Sequence, residues 1–434
     1  MVAILPRSYE REANAIKNHD SHTKPQLELE TQTTEVRTTI TKAIDSSASA
    51  LQDINQGLHS HPETGFQEHF AHETITSYLS ASGFDVKKHA YGLDTSFEVE
   101  YGSGGRLVIF CAEYDALPQI GHACGHNLIA TSSIAAFIAA AQAMKDRQVP
   151  GRLRLLGTPA EEGGGGKAKL IDAGAFPKET AAAIMAHPMP AHSLFHTPGA
   201  YHGLAGLKLI ASHKFHVEFR GKSAHAAGEP WNGVNALDAA VAAYQNVGLL
   251  RQQIEPDERV HCVIEHGGTV PNVITDYTRT AWNVRSPTIE RANKLLERVK
   301  RCIDAGGLAT GCKVDYIFSP TYLNLRVNDA LCDSYAASMD AIGARVMVQQ
   351  EKLMNASTDM GNVSHVVPSF HGAFTIPAEA GVSVHNSSFA ECAGTDEAHA
   401  CALQCGKGMA MLAMRVLMDE KLAQQARADF EKPE

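Results

Sequence analysis

Two adjacent carboxylates, Glu161 and Glu162, stand in Gly157-Thr158-Pro159-Ala160-Glu161-Glu162-Gly163-Gly164-Gly165-Gly166, just beyond the apolar stretch Leu153-Arg154-Leu155-Leu156. That stretch reads as a strand, so the pair falls at its end. Such a pair suits a divided task, in which one carboxylate holds a metal ion while its neighbour exchanges protons with the attacking water. Alone, it reads as two solvated surface glutamates. Its company argues otherwise. Gly121-His122-Ala123-Cys124-Gly125-His126-Asn127 sets a thiol and an imidazole two residues apart. Ala181 to Ala186 is an apolar strand closed by His187, and Val384-His385-Asn386-Ser387-Ser388-Phe389 supplies one more imidazole near the C-terminus. Taken singly, each histidine reads as structural. Together, Cys, His, Glu, His and His are donor types of zinc and similar borderline metals. All four segments fall at expected strand ends or helix starts, and ligands in open α/β sheets gather outside the carboxyl ends of the strands.

The elements that position them follow from periodicity. A helical pattern runs from Gln67 to Phe84, Leu107 to Cys111 reads as a buried strand ending at Glu113-Tyr114-Asp115, and Leu128 to Met144 is an alanine-rich buried helix. Strands and helices alternate to about Gly206, as in an α/β sandwich. The pattern then changes. Lys214 to Phe219, Val260 to Glu265, Tyr277 to Val284 and Lys313 to Phe318 read as strands, with helices over 232–253 and 288–304, a β-α-β-β-α-β order of the ferredoxin-like kind. Beyond Asn328 the sandwich resumes, with a strand near 373–376 and a long helix from Glu397. The expectation is an N-terminal arm or loosely attached helix over 1–35, a catalytic α/β/α sandwich in two parts (36–206 and 326–434), and an inserted ferredoxin-like α+β lid and dimerisation domain over 207–325.

With 434 residues, two domains are the default. Lys and Arg number 38 against 48 Asp and Glu, a net charge of −10, and no basic patch stands out, so nucleic acid is not expected as a partner. Nor is a membrane, because the run from Ile129 to Met144 is short and broken by Thr, Ser and Gln. The first residues lack a secretory h-region. Nine cysteines without regular spacing fit a reduced compartment, the cytoplasm.

At this level the chain resembles the co-catalytic zinc metallopeptidases that include aminoacylases, carboxypeptidase G and the indole-acetyl-amino-acid amidohydrolases. The likeness rests on His-Ala-Cys-Gly-His at 122–126, Pro-Ala-Glu-Glu-Gly at 159–163 and His-x-x-x-Phe at 385–389. Glu113-Tyr114-Asp115-Ala116-Leu117-Pro118, Glu162 to Lys167 and Gly394 to His399 are similar to the dipeptidase and p-aminobenzoyl-glutamate hydrolase-like subgroup. The resemblance spans roughly residues 50 to 420. It implies that Cys124, His126, Glu162, His187 and His385 hold metal, one or two zinc ions, with manganese and cobalt compatible, and that Glu161 is the general base. The wider family's His-x-Asp is here Glu113-Tyr114-Asp115, so that histidine is absent, and Asp115 is expected to orient a ligand from behind. In Gly221-Lys222-Ser223-Ala224-His225-Ala226-Ala227, His225 matches the family's lid histidine that helps hold the scissile carbonyl. Asn272 and Arg285 match groups near the substrate carboxylate, although Arg285 reads equally as a surface ion-pair member. The acyl side is expected to draw on Asn355, Asp359 and the Gly394-Thr395 turn. The implied activity is hydrolysis of small dipeptides or N-acyl amino acids by a homodimer whose partner is a small-molecule amide.

Competing readings differ in chemistry. The glycine run before Lys167 lacks Gly at position 161 and Ser or Thr at 168, so it is not a phosphate loop. The Gly102-Ser103-Gly104-Gly105 run lacks the third glycine of a dinucleotide fingerprint. Cys124 as a nucleophile beside a histidine competes more seriously, though two residues of separation suit metal ligation better. A metal-binding scaffold would have no use for the unligated Glu161. The same site could in principle run amide formation when a pathway supplies the partners.

Overall fold

The computed structural model describes residues 9–194, 200–349 and 353–433, with side chains from residue 33 onward. Helices α1 (Tyr9–Ser60) and α2 (His69–Ala81) precede strands β1 (Val86–Lys88), β2 (Phe97–Ser103) and β3 (Leu107–Ala112). Helix α3 (His126–Arg147) leads to β4 (Gly151–Gly157), α4 (Gly166–Asp172) to β5 (Thr180–Pro190), and α5 (Ala191–Leu194) and β6 (Gly203–Gly206) follow. Next come β7 (Ala211–Arg220), α6 (Ala236–Leu250), β8 (Arg259–His266), β9 (Tyr277–Ser286), α7 (Ile289–Thr310) and β10 (Lys313–Phe318). The chain ends with α8 (Asp329–Asp340), β11 (Val346–Gln349), α9 (Met360–Ser364), β12 (Ser369–Ile376), α10 (Ser387–Ala393), α11 (Asp396–Met418) and α12 (Glu420–Glu431). Residues 9–35 of the polar N-terminal segment belong to α1, and residues 1–8 lie outside the described residues.

Two sheets result. The larger runs β1-β2-β4-β3-β5-β12-β6-β11 and the smaller β10-β7-β9-β8. In the larger sheet β3 is parallel to both β4 and β5, and β12 is parallel to β5. Every residue of Leu107–Ala112 is buried, because helices cover both faces and a strand buried on both sides carries an unbroken apolar run. On one face α1, α3, α8 and α11 share a core with Phe110, Leu155 and Ile184. On the other, Leu170 of α4 and Met360 and Val363 of α9 pack against Ile109, Leu156 and Met185. Helix α3 is long and apolar enough to cross a bilayer, but nearly all of that stretch is buried inside the fold. A Cβ added at Gly406 of α11 would lie 3.0 Å from Ala135 Cβ and from Ser132 O, which shows how closely the small residues let α3 and α11 approach.

The smaller sheet is antiparallel and covered on one face only. Strand β9 alternates half-buried and buried residues along its whole length, the pattern of a sheet with one open face. Phe215, Val217, Phe219, Trp282 and Val284 face α6 and α7. Helix α7 supplies Ala292, Leu295, Leu296, Val299 and Ile303 at helical spacing. Thr288 caps its start by accepting from Arg291 N, and Gly311, at φ 75°, ends it. The open face looks toward the cleft and carries polar side chains. The architecture is thus a catalytic α/β/α sandwich interrupted by a ferredoxin-like α+β lid.

Candidate metal centre

The donors named from the sequence come from four separate segments, and the fold brings them together. Glu161 and Glu162 follow β4, Cys124 and His126 span the start of α3, His187 lies on β5 and His385 precedes α10. His187 is inside its strand, three residues short of the end, because β5 continues to Pro190 in register with β12. Donor atoms of Cys124, His126 and His187 lie within 4.8 Å of one another, as do those of Cys124, Glu162 and His385, and those of His126, Glu161 and Glu162. Cys124 is common to the first two sets, so a single sulfur joins two adjoining subsites.

Each donor is aimed by a group behind it. Asp115 Oδ1 lies 2.9 Å from His126 Nδ1 and its Oδ2 accepts from the Glu162 N–H at 2.9 Å, so one carboxylate orients two donors. His187 Nδ1 is 2.7 Å from its neighbour's carbonyl, Pro188 O, which leaves Nε2 facing Cys124 Sγ at 3.3 Å. The His385 N–H donates to Ala123 O at 2.8 Å, pinning the last segment to the cysteine loop. His385 Nε2 is 3.1 Å from Glu162 Oε1. Ala160 and His385 adopt φ 58° and 65°, left-handed conformations that side-chain-bearing residues seldom take.

The charge balance fits a cation. Burial works to lower His126, yet Asp115 and the Cys124 sulfur hold it well above its usual value. His187 falls to about 4 through burial and the neighbouring His126. Burial works against Glu162, but His385 and His126 hold it down to about 2. A divalent ion among these soft and oxygen donors would answer the same negative surroundings without protonating them. Burial pushes the Cys124 thiol well above its ordinary value. Although Sγ is within reach of an imidazole, this is the opposite of what a free nucleophile needs, and it disfavours the cysteine-nucleophile reading. Glu161 is raised well above the carboxylate range by burial first and then by Glu113, Glu162 and Asp359, the environment of a group that accepts and returns a proton.

The turn that presents Glu161 is held from outside its own segment. The Tyr322 hydroxyl accepts from Gly163 N at 3.1 Å and Gly165 N at 3.0 Å and donates to Glu161 O. Glu68 Oε1 accepts from Ala160 N at 2.8 Å and its Oε2 from Thr95 Oγ1 at 2.7 Å. The glycine run serves this turn. A Cβ at Gly166 would meet Pro159 O at 1.7 Å, and Gly165 stands at φ 63°. Lys167, just beyond, is fully buried and bridges Glu113 and Asp359, reaching Asp359 Oδ1 at 2.6 Å. Glu113 Oε2 in turn lies 3.5 Å from His126 Nε2. Nothing in the chain order marks Tyr322 or Glu68 as part of the site, and Lys167, although it closes the Glu162 to Lys167 motif, has its partner Asp359 192 residues away.

A cavity of about 310 Å³ opens on the donors, lined among others by Lys214, Arg285, Tyr322, Asn355, Thr358 and His371. Among the described residues Arg285 reaches it without an ion pair: its Nε is buried with no partner there and its Nη1 donates to Asn355 O at 3.2 Å. His371 on β12 is buried, with neither ring nitrogen bonded among the described residues. Two acyl-side expectations come out differently. Asp359 sits behind the cavity wall on Lys167. The Gly394-Thr395 turn does not line the cavity: Gly394 packs on the His59 ring and Thr395 caps α11. His225 and Asn272 are exposed and adjacent, through the 225–273 bridge and the Ala226 N–H to Asn272 O bond, but neither lines the cavity of its own chain. A smaller, mainly apolar cavity of about 100 Å³ near α1, α8 and α11 holds no comparable donor set.

The model of peptidase family M20/M25/M40 matches residues 109–403. The chain belongs to peptidase family M20/M25/M40. Xaa-Arg dipeptidase of Mus musculus is 37% identical over 404 residues, 89% of this chain and 90% of that protein. One of the subunits of the p-aminobenzoyl-glutamate hydrolase of Escherichia coli is 29% identical over 314 residues, 68% of this chain and 61% of the relative. Among solved structures, a dinuclear metal-binding M20 peptidase of Bacillus subtilis aligns with a TM-score of 0.61 at 20% identity, covering 86% of this chain and 99% of its own. As a member of the M20/M25/M40 family with dipeptidase and amidohydrolase relatives, the protein is a metal-dependent hydrolase of amide or peptide bonds.

Proposed function

We propose that the protein hydrolyses the amide bond joining an acyl or aminoacyl group to an amino acid with a free carboxylate, in small dipeptides or N-acyl amino acids. The observation that carries this reading is the convergence on one cavity of the Cys124-joined donor sets, buried Glu161, and the Arg285 guanidinium, which meets no carboxylate among the described residues. Cys124, His126, Glu162, His187 and His385 hold one or two ions, with zinc favoured by the thiolate and imidazoles and manganese or cobalt as substitutes. A bound ion supplies Lewis acidity to the amide carbonyl and to the attacking water. Glu161 accepts the proton of that water and returns it to the leaving nitrogen, so that acid and free amine result. Asp115 keeps His126 in the tautomer that points Nε2 at the site. Arg285 binds the substrate carboxylate with its parallel N–H groups. The names of the dipeptidase and aminobenzoyl-glutamate relatives support small substrates.

His225 and Asn272 enter through a homodimer, each serving the partner's cavity. Val263 and Ile264 on the edge strand β8, with Val241, Tyr244 and Leu249 of α6, are exposed, and an exposed apolar edge strand invites pairing with a second copy. All nine cysteines are unpaired, which supports a cytoplasmic setting.

Glu161→Gln tests the chemistry: turnover should fall about a hundred- to ten-thousand-fold while metal content by elemental analysis stays at the wild-type level. Near wild-type activity would refute the assignment. For the dimer, inactive Glu161→Gln and His225→Ala subunits mixed in one population should regain part of the activity. Proven mixed dimers without any recovery would place His225 in its own subunit's site or outside catalysis.

A further inference from the structure

The cavity takes a wall from each sheet. On the small sheet Ser212 pairs with Arg285 and Lys214 with Asn283 across β7 and β9, which sets Lys214 and Arg285 on one face, and both line the cavity. On the large sheet His371 pairs with Met185 and Ala373 with His187 across the parallel strands β12 and β5. Side chains alternate along a strand. Phe370, Phe374 and Ile376 accordingly join the core shared with α3 and α11, while His371 takes the opposite face together with Ala373, Met185 and the donor His187. Met185 and Ala373 belong to the apolar core packed by α4 and α9. The alternation therefore calls for an apolar residue at 371, and the chain places a histidine there.

That histidine is 5% exposed and lines the cavity, and neither of its ring nitrogens meets a partner among the described residues. Its ring stands edge-on to that of His187, the centroids 6.4 Å apart and the planes at 76°. It belongs to none of the donor groups that could close on an ion among the described residues, so it stands beside the metal centre without joining it. Its surroundings at the wall are carbon and thioether: Met189, Leu207, Leu209 and Met354 line the same cavity and pack with the core of that face. A buried polar group without a partner costs folding energy and is kept where a bound molecule supplies the missing bond. Glu161 and Glu162 also line the cavity and disfavour a carboxylate at this wall. What fits is a hydroxyl or an amine, since a neutral imidazole always has one nitrogen free to accept.

Resting on the hydrolase reading above, we infer that His371 recognises the acyl side of the substrate. With the carboxylate of the leaving residue on Arg285, the acyl chain lies along the apolar wall of the large sheet, and a His371 nitrogen accepts a hydrogen bond from an O–H or N–H that the chain carries. His371 is thereby the specificity-determining residue for hydroxyacyl and aminoacyl groups over all-carbon acyl groups of the same size. An all-carbon chain leaves the imidazole without a partner, so wild-type kcat/KM should favour the hydrogen-bonding chain by about ten- to a hundredfold. The preference is independent of the leaving residue, because it is set at the other wall.

The test is a set of propionyl, glycolyl and glycyl amides, alike in size and differing only in a methyl, hydroxyl or amino group. Each is joined to arginine and to glutamate, the residues that two relatives' names carry, and assayed on metal-loaded wild type, His371→Leu, His371→Phe and His371→Gln. The glycolyl-to-propionyl or glycyl-to-propionyl ratio should reach at least about tenfold in wild type with both leaving residues; whichever does identifies the hydroxyl or the amine as the group bound. That ratio should collapse toward one in His371→Leu and His371→Phe, which remove both nitrogens, and persist in part in His371→Gln, which keeps an acceptor, with metal content by elemental analysis at the wild-type level throughout. Calorimetric binding of glycolyl-, glycyl- and propionyl-arginine to Glu161→Gln, with and without His371→Leu, gives the same ratios free of turnover. Wild-type ratios near one, ratios unchanged in His371→Leu and His371→Phe, or an equal loss for all three acyl groups together with loss of metal would overturn the inference. If no amide is cleaved by the wild type, the hydrolase reading fails, and the binding ratios still decide the role of His371: equal binding of the three, or none, overturns it.

Discussion

Both sheets deliver charged side chains to the same cleft, but the large one bonds Lys167, Glu113, Asp359 and Asp115 to named partners as it buries them, whereas the small one leaves Lys214 and Arg285 at the cavity wall with no carboxylate in ion-pair reach among the described residues. Lys167, Glu113 and Asp359 are wholly or almost wholly withdrawn from water and bonded to one another. Asp115 and Glu68 likewise spend their oxygens on named donors. On the small sheet Lys214 and Arg285 are half-buried and have no carboxylate in ion-pair reach among the described residues, and the paired charges at its far end remain partly in solvent. The difference separates two uses of charge. A neutralised, desolvated network fixes geometry, because every member has only one arrangement that satisfies it. An unneutralised cation costs folding energy and is kept where a ligand completes it.

The comparison breaks most decisively at Lys167. Lys167→Met leaves two buried carboxylates without their shared cation and should destabilise the fold by about 3–5 kcal/mol, read from denaturant unfolding. Glu68 sharpens it through pH. Burial lifts its carboxyl from 4.5 to about 7 against the Thr95 and Ala160 hydrogen bonds. A carboxyl raised in the folded state contributes stability that is full below pH 4.5 and is lost as pH rises through 7. Glu68→Gln should remove about 3 kcal/mol of that decline between pH 4.5 and 8, a shift of about 1.4 kcal/mol per unit; an unchanged pH profile would show that Glu68 is ionised in the fold. Tyr322→Phe removes the acceptor for two N–H groups and the donor to Glu161 O, and should cost about 1–3 kcal/mol. It should also lower kcat more than it raises KM, since the turn it braces carries Glu161. The smallest effect belongs to the far end of the small sheet, where Arg279→Ala should change stability by about 0–1 kcal/mol.

How much of this was legible before folding depends on the range of each signal. The donors showed in the chain because each sits in a short local pattern, a thiol and imidazole before a helix or carboxylates after a strand, and the split order of the small sheet showed in its periodicity. Lys167 showed only as the end of a motif and not as a bridging cation, because a glycine run before a lysine first raises the question of phosphate, and its partner Asp359 belongs to another segment. Lys214 read as one residue of a half-buried strand, and only the β7–β9 register gives it a face and a neighbour. His371 lay hidden in an apolar strand. The Gly394-Thr395 turn misled in the other direction, since its residue types suit a helix cap as well as a binding loop.

The strand order also dictates when the site can exist during synthesis. Strand β12 lies between β5 and β6, so β5 waits with an open edge while roughly 180 residues emerge, about ten to forty seconds at about 5–20 residues per second. The small sheet can close on itself in that interval, since all four of its strands come from one continuous stretch. The large sheet cannot. His385 arrives later still, after β12 has docked. A nascent chain therefore carries Cys124, His126, Glu162 and His187 well before His385, the last member of the donor set, is available. It spends that time open to oxidation or to capture of the wrong ion, and that hazard gives the cell's handling of thiols and metals during translation a direct hold on how much active protein results.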